Sequence, residues 1–162
     1  MTEEINELAG LRILAVDDEE DVLATIEDVL EGVQLDTASD FETAIEKLKT
    51  ERYDLAILDI MGVDGFALLT EAVNRKIPTV MLTAHAVSVE SLKESISKGA
   101  LAYLPKEQLG NLDKLLSEFV VEARKGNSVW RLIFDRLEDY FERTFGEDWV
   151  AEDPNYWRMY MY

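Results

Sequence analysis

Residues 11–18, LRILAVDD, form a nearly continuous apolar run that ends in two aspartates. Such a run is typical of a strand that is buried on both faces of a parallel sheet. Four more short segments have the character of strands: VQLDTA (33–38), LAIL (55–58), TVML (79–82) and ALAYL (100–104). The segment at 33–38 is the least apolar of them, which predicts a position nearer an edge of the sheet.

Segments with helical spacing of apolar residues alternate with these strands. They cover residues 20–31, the stretch after Asp40, residues 64–76, residues 88–98 and about 109–124. Asp40 and Asp64 stand where helix N-caps are expected. Five strands alternating with five helices predict an α/β fold with a doubly wound, five-stranded parallel sheet. We expect the flavodoxin-like strand order 2-1-3-4-5, with helices on both faces.

The predicted strands end in polar residues of a kind that phosphoryl chemistry uses. Asp17 and Asp18 follow the first strand, Asp59 follows the third, and Thr83 and Lys106 follow the last two. The carboxyl ends of parallel strands meet at one edge, where α/β sheets bind ligands. Carboxylates suit Mg²⁺, and an ionised aspartate can accept a phosphoryl group while an ammonium and a hydroxyl bind its oxygens. Each residue alone has an ordinary structural explanation, but together they predict a phosphoryl-accepting site at Asp59.

Composition and charge narrow the classes of function. The chain has 162 residues, no cysteine and a formal net charge of −18. Such an acidic surface disfavours binding to nucleic acid or to anionic membranes. The acidic N-terminal stretch lacks a signal-peptide pattern, and no apolar run has membrane-spanning length, which favours a cytoplasmic protein. We expect a tail at 1–10, one domain at 11–126 and an extension at 127–162.

Several stretches together resemble the receiver domain of bacterial two-component response regulators. They are AVDDEEDVL, LAILDIM followed by DGF, VMLTA, and GALAYLPKE. The resemblance implies that Asp17 and Asp18 help hold Mg²⁺ and that Asp59 accepts a phosphoryl group from a sensor histidine kinase or phosphotransfer protein. It further implies a phosphoacceptor regulatory domain rather than an enzyme, which signals to a downstream protein target.

The same resemblance assigns roles to residues that the strand ends do not reveal. The backbone carbonyl of Met61 would be a metal ligand. Thr83 and Tyr103 would form a switch, in which the threonine moves toward the phosphoryl group and the aromatic ring turns inward. Met61 and His85, the only histidine, would tune how fast the phosphoryl group is lost to water.

Two departures from the family pattern keep other functions open. The loop 60–63 between Asp59 and Asp64 is shorter than usual and lacks proline, and Pro105 precedes Lys106 instead of following it. The short loop motivates a rival hypothesis, a pseudo-receiver that binds partners without cycling through phosphorylation. An aspartate-nucleophile phosphatase is a third possibility, but neither the residues after Asp17 nor those after Asp59 supply the Asp-x-Asp arrangement of that chemistry.

The C-terminal extension has a different character from the rest of the chain. Residues 129–145 have helical periodicity, and ten of the fifteen aromatic residues lie from Trp130 onward. One face of this predicted helix carries Trp130, Ile133, Phe134, Leu137, Tyr140, Phe141 and Phe145. An apolar stripe of this size needs a covering surface. We expect it to pack on its own receiver domain or to form a homodimer, in preference to a dedicated partner site. The extension is also short and acidic for a DNA-binding output domain.

Overall fold

The computed structural model describes residues 6–84 and 88–161. Five parallel strands form one sheet in the order β2-β1-β3-β4-β5, which confirms the predicted topology. The strands are β1 (Arg12–Val16), β2 (Gln34–Ala38), β3 (Leu55–Asp59), β4 (Thr79–Thr83) and β5 (Ala102–Pro105). Every residue of β3 and β4 is buried, whereas the edge strand β2 is largely half-exposed. The apolar runs in the sequence therefore belong to the centre of the sheet, as expected for strands covered on both faces.

Helices follow the strands in alternation. They are α1 (Glu20–Val29), α2 (Phe41–Thr50), α3 (Gly65–Asn74), α4 (Val89–Ser97) and α5 (Leu112–Arg124). The chain moves from β1 outward to β2 and then back across the sheet to β5. Because parallel crossovers are right-handed, this reversal places α1 and the later crossover helices on opposite faces.

One predicted helix start is confirmed, and two others differ in detail from the structure. Asp40 caps α2 as predicted, because its Oδ1 accepts a hydrogen bond from the Thr43 N–H at 2.7 Å. Asp64 occupies the N-cap position of α3, but it has a left-handed backbone (φ 54°) and makes no capping hydrogen bond with its side chain. Between β5 and α5, a 3-10 segment spans Lys106–Asn111, so α5 begins later than the periodicity predicted.

The extension is helical but is not the single helix predicted over residues 129–145. It consists of α6 (Val129–Arg136), α7 (Glu138–Phe145), a 3-10 segment (Trp149–Glu152) and α8 (Pro154–Met161). The break at Leu137 brings the rings of Phe134 and Phe141 to a centroid distance of 5.3 Å. Seven residues of a straight helix would separate them by about 10 Å along its axis. The tail after 145, for which the sequence predicted no element, completes this packing with Trp149 and Trp157.

The extension packs on its own receiver domain, against α5 and β5. Most of the predicted apolar stripe is buried there, including Trp130, Ile133 and Phe141. The apolar stripe is therefore covered within one chain, which was one of the two arrangements expected from the sequence. Within the part of the chain that the structure describes, no helix is both long and apolar enough to cross a membrane.

Candidate phosphoryl-acceptor site

The five polar residues predicted at the strand ends meet at the carboxyl edge of the sheet. Val16 of β1 pairs with Leu58 of β3, so Asp17 and Asp59 follow at the same level of adjacent strands. Thr83 pairs with Pro105, which places Lys106 one residue beyond the end of β5. The register of a parallel sheet therefore brings together residues that are up to 89 positions apart in the chain, from Asp17 to Lys106.

Lys106 is the cation in this cluster. Its Nζ lies 2.8 Å from Asp17 Oδ2 and 3.3 Å from Asp59 Oδ1, and Glu19 is 3.7 Å away. Asp17 and Asp59 are almost fully buried, whereas Asp18 is exposed. Lys106 thus reaches the acceptor carboxylate even though Pro105 precedes it.

The turn after β1 orients Asp17. Its Oδ1 accepts a hydrogen bond from the Glu19 N–H at 2.9 Å, which turns the chain into α1. The Asp17 N–H donates to the Ala38 carbonyl at 3.1 Å and continues the ladder with β2. One carboxylate oxygen is therefore used for the turn, while the other faces Lys106 in the pocket.

Two glycines shape the short loop after Asp59. At Gly62 the φ is +82°, and an added Cβ would lie 2.7 Å from the carboxylate of Asp18. At Gly65 an added Cβ would lie 2.1 Å from the Asp59 carbonyl oxygen. The loop can close directly on the acidic residues only because these positions lack side chains. The sequence shows both glycines, but the close approach of Gly62 to Asp18 depends on the tertiary structure.

Burial and mutual repulsion shift the acid–base equilibria of the carboxylates. Burial raises the pKa of Asp59 to about 7, and the negative charges of Asp17 and Asp18 add to the rise against the effect of Lys106. Burial also raises the pKa of Asp17, although Lys106 favours its ionised form. Lys106 itself loses solvation, but its hydrogen bond to Asp17 and its charge neighbours give a net rise in its pKa. The pocket therefore holds more negative charge than one ammonium neutralises.

The acidic cluster suits a divalent cation. Asp17, Asp18 and Asp59 each offer a carboxylate oxygen, and these oxygens lie within 4.8 Å of one another. Hard oxygen donors of this kind are the ligands that Mg²⁺ prefers, usually together with several waters. The raised pKa values of Asp17 and Asp59 indicate that additional positive charge would stabilise the ionised pocket. The donor set therefore fits Mg²⁺.

A cavity of about 200 Å³ opens above the acceptor. Asp18, Asp59, Met61, Thr83 and Lys106 all line it. Met61 lies at its rim with 75% of its surface exposed. His85, the other residue predicted to tune phosphoryl loss, lies outside the described residues.

Ser91 also lines this cavity, and the sequence did not single it out. It lies in the first turn of α4, where its N–H donates to the Ser88 hydroxyl at 3.2 Å. Its place in the site depends on how α4 packs, so its position in the sequence carries no signal for it.

The predicted switch residues are neighbours on one face of the sheet. Thr83 pairs in register with Pro105, and Met81 pairs with Tyr103, so the side chains of Thr83 and Tyr103 project on the same side. The Thr83 hydroxyl donates to the Ala84 carbonyl at 2.9 Å. Tyr103 is fully buried, and its hydroxyl has no hydrogen-bond partner among the described residues. Burial raises the pKa of Tyr103, and the nearby Thr83 hydroxyl partly offsets that rise.

Residues 13–118 match the response regulator receiver domain family. The match covers most of the chain, including the sheet except for the first residue of β1 and the pocket around Asp59, and the chain belongs to this family. The resemblance found in the sequence motifs is thereby confirmed.

Individual relatives point the same way. The chain is 28% identical to the alkaline phosphatase synthesis transcriptional regulatory protein PhoP of Bacillus subtilis, over 93% of this chain and 70% of PhoP. It is 32% identical to the two-component response regulator ARR10 of Arabidopsis thaliana, over 64% of this chain but only 20% of ARR10. The crystal structure of a CheY-like receiver domain protein from Methanospirillum hungatei superposes with a TM-score of 0.61 and 26% identity, covering 72% of this chain and 99% of that one.

Proposed function

We propose that this chain is a phosphorylation-dependent response regulator that accepts a phosphoryl group on Asp59 from a sensor histidine kinase or phosphotransfer protein. The observation that carries the proposal is the position of Asp59 at the centre of the pocket, buried, with the Lys106 ammonium 3.3 Å away. The proposal takes residues 11–126 as the phosphoacceptor domain and residues 127–162 as an extension with its own role.

In the proposed transfer, a carboxylate oxygen of Asp59 attacks the phosphorus of a phosphohistidine. The new O–P bond forms as the P–N bond breaks, and the imidazole leaves with the bonding electron pair and takes up a proton. The carboxylate must be ionised to attack, so the positive charge around it favours the reactive form. The product is an acyl phosphate on Asp59.

Lys106 and Thr83 bind the transferred group. Charge on the three equatorial oxygens has to be stabilised in phosphoryl transfer. The Lys106 ammonium already lies next to the Asp59 carboxylate and would bind one of these oxygens. The Thr83 hydroxyl would exchange its present acceptor, the Ala84 carbonyl, for another of them.

The proposal assigns a Mg²⁺ site to Asp17, Asp18, Asp59 and the backbone carbonyl of Met61. When bound, Mg²⁺ would neutralise charge on the phosphoryl oxygens and on the clustered carboxylates. The exposed thioether of Met61 offers no hydrogen bond to an attacking water, so we infer slow loss of the phosphoryl group.

The proposed output is protein–protein contact. Movement of Thr83 and Tyr103 would shift the population of conformations at the face built from α4, β5 and α5. PhoP is by its name a transcriptional regulatory protein, whereas the net charge of −18 on this chain favours a protein target over nucleic acid.

Acetyl phosphate and Mg²⁺ test the acceptor directly. Intact-mass analysis should show the addition of one phosphoryl group to the wild-type chain and to Asp28→Asn, which alters an exposed aspartate of α1. Asp59→Asn should abolish the addition. Failure of the wild-type chain to become phosphorylated by acetyl phosphate or phosphoramidate, with Mg²⁺ binding or without it, would overturn the proposal and favour a pseudo-receiver.

A further inference from the structure

The extension occupies one particular face of the receiver domain. We call residues 129–161, with helices α6 to α8, the C-terminal cap. The cap contacts β5 and α5 through α6. It reaches α4 through Asp153, the residue just before α8, which pairs with Lys93 at 2.9 Å. It therefore covers the face formed by α4, β5 and α5, named here the α4–β5–α5 face.

The centre of this interface is aromatic. The ring of Tyr103, from β5, lies 6.2 Å from the ring of Phe141, from α7, between centroids. Both residues are essentially fully buried. Phe141 is in turn 5.6 Å from Trp149, which packs on Trp157 at 4.8 Å. A chain of ring contacts thus connects the buried ring of Tyr103 to the aromatic core of the cap.

Three ion pairs join the cap to the receiver domain around this aromatic centre, from α4, from the 3-10 segment after β5 and from α5. They are Lys93 with Asp153 at 2.9 Å, Glu107 with Arg143 at 3.1 Å, and Glu118 with Arg136 at 3.0 Å. The Lys93 ammonium also lies 4.7 Å from the centre of the Tyr156 ring. Exposed ion pairs add little energy, but they fix orientation and register at an interface. The complementary charges identify the cap as a specific occupant of the face.

Two buried polar atoms at this interface lack hydrogen bonds within the described residues, the Tyr103 hydroxyl and Trp157 Nε1. Unsatisfied buried donors oppose the packing that surrounds them. Apolar contacts therefore hold the cap in place, although burying these two donors without partners costs free energy. A change that supplies a hydrogen-bond partner to the Tyr103 hydroxyl would strengthen the docking of the cap.

We propose that the C-terminal cap is the intramolecular partner of the α4–β5–α5 face and that it senses the state of Asp59 through Tyr103. The docked cap and the phosphorylated pocket stabilise each other. This inference rests on the proposed function, since it requires that Asp59 accept a phosphoryl group.

The sign of the coupling follows from the position of Thr83 beside Tyr103. The two side chains project from the same side of β4 and β5, and the buried Tyr103 hydroxyl has no hydrogen-bond partner among the described residues. In the present structure the Thr83 hydroxyl donates to the Ala84 carbonyl. When Thr83 turns toward a phosphoryl oxygen instead, it vacates space next to the Tyr103 hydroxyl, which lets that hydroxyl reach a polar partner and stabilises the inward ring that Phe141 contacts. By linkage, a cap that favours inward Tyr103 must also favour the phosphorylated state.

The distribution of tryptophan provides a specific probe. All three tryptophans of the chain, Trp130, Trp149 and Trp157, lie in the cap. Their emission therefore reports on the cap and not on the receiver domain. Acetyl phosphate with Mg²⁺ should change the tryptophan emission of the wild-type chain, and Asp59→Asn should abolish that change.

The affinity of the pocket for a phosphoryl mimic tests the coupling from the other side, because linkage acts on binding equilibria. Phe141→Ala removes the ring that contacts Tyr103, and it should weaken the binding of beryllofluoride in the presence of Mg²⁺ by about fivefold or more. Phe145→Ala is the matched control, because Phe145 belongs to the same aromatic cluster and stacks on Phe141 at 5.8 Å, while none of the ring contacts among the described residues joins it to Tyr103. It should change the affinity by less than about twofold.

Tyr103→Phe separates the hydroxyl from the packing of the ring, and it avoids the cavity that Phe141→Ala creates. This variant should still be phosphorylated, but its tryptophan emission should respond much less than that of the wild type. An unchanged or higher affinity for beryllofluoride in Phe141→Ala, or a wild-type response in Tyr103→Phe, would overturn the inference while leaving the proposed function intact. Absence of phosphorylation in the wild-type chain would overturn both.

Discussion

The Lys106 ammonium lies 3.3 Å from the Asp59 carboxylate, at the edge of the sheet and inside a pocket that is otherwise acidic. The same ammonium is 2.8 Å from Asp17. One side chain from the end of β5 therefore stabilises two carboxylates from the ends of β1 and β3. Because these carboxylates lie at the ends of neighbouring strands, loss of the Lys106 charge should affect both the ionisation of Asp59 and the stability of the fold.

Replacing Lys106 should destabilise the ionised pocket. Lys106→Met removes the cation and leaves Asp17 and Asp59 close together, which should lower the free energy of unfolding at pH 8 by about 1–3 kcal/mol. Lys125→Met is the matched control, because Lys125 is exposed and, among the described residues, its ammonium pairs only with Glu122, at 3.6 Å. It should change stability by less than about 0.5 kcal/mol. Urea denaturation measures both values, and equal effects would contradict the role given to Lys106.

The raised pKa of Asp59 predicts a pH dependence of stability in the presence of EDTA. Because the pKa rises from 3.8 to about 7 on folding, the native state holds a proton that the unfolded state has lost between these values. The free energy of unfolding should therefore fall as the pH rises from about 4 to about 7, by roughly 2 kcal/mol from Asp59 after allowance for solvent screening.

Asp59→Asn should remove most of this dependence, because asparagine does not titrate. The variant should be more stable than the wild type at pH 8 and closer to it at pH 4. Denaturation curves at several pH values provide the measurement, with Asp28→Asn as the control that keeps the wild-type slope. If the free energy of unfolding changed with pH equally in the wild type and in Asp59→Asn, the pKa of Asp59 would not be raised on folding.

Gly62 should control the position of Asp18 and therefore the affinity for Mg²⁺. In Gly62→Ala the new Cβ would lie 2.7 Å from the Asp18 carboxylate, at a φ of +82°. We expect Mg²⁺ affinity to fall by about tenfold and stability to fall by about 1 kcal/mol. In Gly110→Ala the new Cβ has no neighbour within 4 Å, and both properties should stay near the wild type. Isothermal titration with MgCl₂ and thermal denaturation distinguish the two variants, and an unchanged Mg²⁺ affinity in Gly62→Ala would argue against the assigned ligand set.

Lys76 should limit the stability of the turn after α3. Its backbone is left-handed (φ 61°), and the turn is closed by hydrogen bonds from the N–H of Lys76 to Val73 and from that of Ile77 to Ala72. Glycine is favoured at this helix end, so Lys76→Gly should raise the free energy of unfolding by about 0.5–1 kcal/mol.

Lys98 is the matched control for Lys76, because it also follows a helix but has a right-handed backbone. It ends α4 with a right-handed backbone (φ −84°), so Lys98→Gly has no strain to relieve and should lower stability by about 0.5–1 kcal/mol. Urea denaturation of the two Lys→Gly variants should therefore give changes of opposite sign. Destabilisation by both would mean that the left-handed turn at Lys76 carries little strain.

Much of the fold could be predicted because its signals are local. The apolar runs of β1, β3 and β4 are fully or almost fully buried, and the less apolar β2 is at an edge. Asp40 caps α2 as expected. In contrast, Asp64 occupies an N-cap position with a left-handed backbone and makes no capping hydrogen bond with its side chain, which its residue type alone does not predict.

The extension shows where periodicity alone was insufficient. Residues 129–145 carry one continuous apolar stripe, yet the helix breaks at Leu137. The break brings the rings of both Phe134 and Phe141 close to Trp149, at centroid distances of 6.0 and 5.6 Å, so that they form one aromatic cluster. The tail that completes the cluster has no period of its own, because its structure depends on the surface that it covers.

The sequence by itself determined the sheet, its order and the identity of the five polar residues at its carboxyl edge. The strands and the edge position of β2 follow from the burial pattern of each segment, which is a local signal. The full strand order follows from the flavodoxin-like fold that the alternation of strands and helices indicates. Tertiary structure decided how closely Lys106 approaches Asp59, how Gly62 brings the loop onto Asp18, and that the cap covers Tyr103. Each of these contacts is between residues that are far apart in the chain. Their distances are therefore set by how the elements pack in the folded molecule and not by local sequence.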